Sequence, residues 1–114
     1  MAITLNAVAG GEEVSGKVRG RYYDVTLDTS YPTGGYSIDP KSVGLLAIYG
    51  VEIVGSALVS GAAKTTDFLP VWDFKTSKLQ LFQDLAVAAA APFGEVAAAT
   101  NVSTRVYRLV FRGI

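Results

Sequence analysis

Polar and apolar residues alternate along Arg105-Val-Tyr-Arg-Leu-Val-Phe-Arg112, and this alternation constrains the fold more than any other feature. Tyr107, Leu109 and Phe111 fall on one side of an extended chain. Arg108, Val110 and Arg112 fall on the other. A period of two marks a strand with one buried face and one wetter face. The same pattern recurs upstream. Pro70-Val-Trp-Asp-Phe74 and Lys78-Leu-Gln-Leu-Phe-Gln83 read as the arms of a hairpin joined by Lys75-Thr-Ser77. Trp72 and Phe74 are expected to lie in the core, with Asp73 opposite.

Further strands are expected at 3–8, from Lys17 to Leu27, and from Leu45 to Val54. The apolar phase of the second run changes near Tyr22-Tyr23, which predicts a bulge or bend there. Helix is scarce. Asp39 can cap a turn that begins at Pro40 and stops at Gly44. The Ala-rich stretch 86–99 contains Pro92-Phe-Gly94 and reads as an irregular loop. In Tyr31-Pro-Thr-Gly-Gly-Tyr36, Pro32 presets one φ angle and the glycines permit positive φ, so this is a turn. Its two tyrosines are placed to pack on a sheet edge. No repeat, linker or domain boundary is visible. The expected fold is all-β: a single domain over 1–114, either an antiparallel β-sandwich of jelly-roll type or a compact β-barrel, with one short helical turn near 39–44.

The composition narrows the chemistry. The 114 residues include no Cys and no His. A disulfide framework, a thiolate metal site, an imidazole base and an imidazole ligand are therefore excluded. No nucleophile elbow, phosphate-binding loop, dinucleotide fingerprint or EF-hand loop occurs. The ten acids are scattered, and their ordinary role is solvation. A calcium site built from loop carboxylates is a minor alternative. The chain is expected to be non-enzymatic and to hold no cofactor or metal. Asn101-Val-Ser103 matches a glycosylation sequon, a short pattern that recurs by chance. The start, MAITLNAVAGG, lacks the basic residue and long apolar core of a signal peptide, and Leu85–Ala91 is too short to span a membrane.

Ten basic residues balance ten acidic ones, so no overall field attracts nucleic acid or an anionic membrane. The positive charge is locally grouped. Lys17, Arg19 and Arg21 alternate, which places all three on one face of an extended strand. Arg105, Arg108 and Arg112 give the C-terminal end three positive charges, expected to have no acid nearby. Solvated strand faces are the plain reading. Contact with an acidic protein surface is the sharper one, because the guanidinium fork suits carboxylates. Candidate partner-contact residues are Lys17, Arg19, Arg21, Tyr31, Tyr36, Arg105, Arg108 and Arg112. Only 18% of residues are charged, against about 25% in ordinary domains. A chain so low in charge leaves apolar surface that assembly would cover.

The run Val25-Thr-Leu-Asp-Thr-Ser-Tyr-Pro-Thr-Gly-Gly-Tyr-Ser-Ile-Asp-Pro40, with Val43-Gly44 after it, resembles small virion proteins of tailed bacteriophages. So does the later order of a Trp-Asp-Phe hairpin, Glu95-Val-Ala, Thr100-Asn-Val-Ser103 and a last strand Arg105–Gly113. The similarity covers about 25–113 and consists of ordered turn motifs with no catalytic signature. It implies a capsid decoration or cement protein that binds the major capsid protein on the exterior of the virion. It also implies self-association, with a trimer favoured. A tail, neck or head-fibre component is a second reading. A small carbohydrate-binding sandwich, with Trp72 as its platform, is a third. Neither nucleic acid nor membrane is an expected partner.

Overall fold

The computed structural model describes residues 3–59, 68–84 and 93–114. The expectation for 86–92, and the acids at 67 and 84, lie outside what it describes, save for the backbone of Asp84. Two antiparallel sheets make up the molecule. Sheet A contains β1 (Thr4–Ser15), β2 (Val18–Thr26), β4 (Ile48–Leu58) and β8 (Arg105–Gly113), in the spatial order β1-β2-β8-β4. Sheet B contains β3 (Tyr36–Ser37), β5 (Leu69–Asp73), β6 (Lys78–Asp84) and β7 (Phe93–Glu95). Here β6 is central: β5 pairs along one side, and β3 and β7 pair with successive parts of it. The all-β expectation holds. Among the described residues, no helix is long and apolar enough to cross a membrane.

The alternation in β8 survives intact. Tyr107, Leu109 and Phe111 are buried. They join Tyr23, Val25 and Leu27 from the β2 segment, and Leu79 and Leu81 from β6, in one core cluster. The Tyr23 and Phe111 rings meet edge to face at 5.9 Å, an arrangement that suits their quadrupoles. Burying a side chain of this size stabilises by roughly 1.5–3 kcal/mol, so the inward face of β8 is a principal source of stability. The expected short turn is a 3₁₀ turn over Pro40–Val43. Asp39 caps it by accepting from the Lys41 N–H at 3.1 Å, and it ends at Gly44.

Several details depart from expectation. Phe93–Glu95, inside the stretch read as an irregular loop, form β7 against β6, and the strand expected from Leu45 to Val54 runs over Ile48–Leu58. The first strand runs to Ser15, well beyond residue 8, because its second half pairs with the start of β2. The irregularity expected at Tyr22-Tyr23 lies instead on β1, between Ala7 and Glu12, around Gly10-Gly11. β2 runs unbroken against β8 from Arg19 to Thr26. Tyr22 and Tyr23 simply occupy opposite faces, with Tyr23 in the core. The hairpin loop after β5 has four residues, Phe74 to Ser77, because Asp73 closes the strand. Its carboxylate accepts from the N–H groups of Lys75 and Thr76. Phe74 is thereby carried into solvent at 72% exposure and is not a core residue. Trp72 is half-buried and packs on the core edge.

Candidate contact surfaces

The two basic stripes sit on sheet A, and the fold supplies each with acids that are distant in sequence. Arg19 and Arg21 share a face, and both converge on Glu12 of β1, at 2.6 and 3.3 Å. The Arg19 hydrogen bond holds the Glu12 carboxyl below the usual range. Lys17 is not on that face: it lies in the two-residue turn between β1 and β2.

On the outward face, Arg108 stands directly opposite Asp24 and grips it with two hydrogen bonds of 2.7 and 2.9 Å. That contact holds the Asp24 carboxyl below its usual range. Arg112, on β8, reaches across the whole four-stranded sheet. Its Nε and Nη2 donate to Glu13 of β1 and its Nη1 donates to Glu52 of β4. The reach across β2 is open because Gly20 lies between: a Cβ there would stand 2.7 Å from the Glu13 side chain. Arg105 donates to the Ser56 hydroxyl at 3.5 Å. The expectation that the C-terminal arginines have no acid nearby is therefore overturned. Strand pairing brings Glu13, Asp24 and Glu52 beside them, over sequence separations of 99, 84 and 60 residues. The outer face of sheet A is a mosaic of both signs. Asp24, Arg108 and the β4 residues Val54 to Ala57 line a shallow concavity of about 380 Å³ on it.

Tyr31 and Tyr36 are not contact residues in the free chain. They are 1% and 2% exposed, with rings edge to face at 5.7 Å. The Tyr31 hydroxyl donates to Glu95 at 2.6 Å and accepts from the Leu81 N–H at 3.1 Å. The Tyr36 hydroxyl donates to Asp28 at 2.6 Å. Burial, and then the carboxylate each one faces, push both phenols well above their ordinary pKa. Together they fasten the 31–36 turn over sheet B. The turn depends on Gly35, at φ +100°, where a Cβ would stand 2.5 Å from the Leu79 carbonyl oxygen.

The surface that sequence reading missed is β4. It is an edge strand, and Tyr49, Ile53, Val54 and Leu58 on it are 38–58% exposed. Its register against β8 slips twice, leaving Tyr49 and Val54 as extra residues. The run from Leu45 to Val54 reads as core by composition alone. Only its position at the edge of the sheet shows that half of it stays wet. Compared with known proteins, the chain matches no family model, no curated sequence and no solved structure.

Proposed function

We propose that the protein is a bacteriophage capsid decoration, or cement, protein. It binds the outer surface of the shell formed by the major capsid protein and stabilises the head without catalysis. The observation that carries this reading is the outer face of sheet A, where arginines hold the domain's own carboxylates beside a shallow concavity bordered by exposed Val54 of β4. Such a domain works by contact. The order of turn motifs along the chain supplies the phage setting. Bridging neighbouring subunits adds binding free energy to the closed shell, and many copies let each contact stay modest. The attachment face is the outer face of sheet A, with its paired arginines and shallow concavity.

Heads prepared without the protein supply the test. Added protein should co-sediment with them to saturation and raise the temperature at which they release DNA. Heads equally resistant to heat and chelator with and without it sink the reading. Density on the tail, neck or a head fibre, in a particle reconstruction, moves the protein to that location. Reversing Arg108 and Arg112 to Glu should weaken attachment. The reversal also strips Asp24, Glu13 and Glu52 of their partners, so folding is followed in the same samples by Trp72 fluorescence. Arg19 and Arg21 lie on the opposite face of the sheet, in phase with buried Tyr23 and Val25, so their reversal is the control and should leave attachment unchanged. Intact folding with unchanged attachment on reversing Arg108 and Arg112 would return those two to the role of solvated pairs.

A further inference from the structure

We propose that the outer edge of β4 pairs with the β4 edge of a second copy of this chain, antiparallel about a two-fold axis at Val51. The two edges of sheet A differ. Both edges carry register slips, but the β1 edge also carries the neighbouring charges Glu12 and Glu13, and charged side chains keep strand edges from joining. The β4 edge, unpaired among the described residues, carries exposed Tyr49, Ile53, Val54 and Leu58 and one charged residue. That residue, Glu52, is bonded to Arg112 within its own sheet.

In a two-fold contact the same patch faces itself, residue i against j and j against i, so an edge that self-pairs must bring no like charges into opposition. The segment Tyr49-Gly-Val-Glu-Ile53 satisfies this condition. With the axis at Val51, Val51 opposes its own copy and Ile53 opposes Tyr49. Glu52 opposes Gly50, which leaves room for its bond to Arg112. Gly50 to Ile53 keeps regular register with β8 between the two slips, so the centre of the contact is regular strand and only Tyr49 at its end is a slipped residue. A two-fold pair closes with two copies, so this pairing gives a dimer where the sequence reading expects a trimer.

The axis stands perpendicular to the sheet, so the two copies of sheet A form one eight-stranded sheet with both outer faces on the same side. If those faces attach to a shell, as proposed above, the dimer doubles the attachment. That use rests on the capsid reading; the pairing itself does not.

The absence of Cys allows a direct test. Directly opposed residues in an antiparallel pair lie roughly 4.5–5.5 Å apart between Cα atoms, within the span of a disulfide. Val51→Cys should form a covalent dimer under mild oxidation, and Val14→Cys on the β1 edge should not. The unmodified chain should sediment as a dimer. Ile53→Asp should weaken self-association by roughly 30-fold or more, the loss expected for an interface anchor, with unchanged circular dichroism. A monomer at every concentration, a trimer, or equal cross-linking at 14 and 51 would each overturn the pairing. A monomer that still coats heads overturns the pairing and leaves the capsid reading standing. A dimer that ignores heads does the reverse.

Discussion

At the scale of single residues, the Tyr31 hydroxyl has the heaviest duty. It accepts from a buried backbone N–H and donates to a carboxylate contributed by β7. Tyr31→Phe keeps the ring and leaves the Leu81 N–H without its partner. An unsatisfied buried donor costs about 1–3 kcal/mol, so urea unfolding should show a loss of that size at constant m. The pH dependence follows from the direction of the shift. Both phenols are held protonated in the folded chain, above their value in the unfolded chain. Their contribution is complete below the unfolded pKa of about 10 and is lost as pH rises beyond it. Stability of the parent should therefore fall on the alkaline side, and this fall should shrink in the double variant Tyr31→Phe, Tyr36→Phe. An alkaline limb of the same steepness in both proteins would count against the assignment. The two tyrosines were legible as a turn signal from Pro32 and the glycines. Their burial was not, because Glu95 and Leu81, which anchor Tyr31, lie 64 and 50 residues away.

At the scale of strands, what could be read and what could not divide along one physical line. Alternation of large apolar and charged side chains made β8 and the β5–β6 hairpin visible. β1 is built largely of Ala, Gly and small polar residues, so its second half has no period to detect. Alternation also gives no warning of where a strand stops. Phe74 keeps the phase of Trp72 and yet falls in a loop, because Asp73 satisfies the turn's N–H groups. The arginines were read as bare because charge patterning along a sequence says nothing about the strand beside it. Their pairs belong to sheet A as a whole, and their energies should be modest. A double-mutant cycle on Asp24→Ala and Arg108→Ala should return a small coupling, as for other exposed pairs, that shrinks further in high salt. A large coupling insensitive to salt would show that the pair is shielded from water and not part of an open face. Gly20→Val should remove most of the coupling between Glu13 and Arg112, measured in the same way, and leave Asp24–Arg108 in place.

At the scale of the whole molecule, sheet A is closed by β8, which lies between β2 and β4. The same strand delivers Tyr107, Leu109 and Phe111 to the shared core. A chain ending before Arg105 should therefore show no cooperative unfolding transition, even though the β1–β2 and β5–β6 hairpins remain encoded. This arrangement has a consequence for the timing of synthesis. The ribosome makes β1, β2 and β4 first, and β2 and β4 then wait for a partner still to be translated. The full sheet A cannot form until β8 has left the exit tunnel, so its completion waits on the slow closure of distant strands. During that wait the Tyr49–Ile53 segment is already made and able to pair with the nascent chain of a neighbouring ribosome. The same five residues would then join two finished copies or tangle two unfinished ones, depending on how closely ribosomes follow one another on the message.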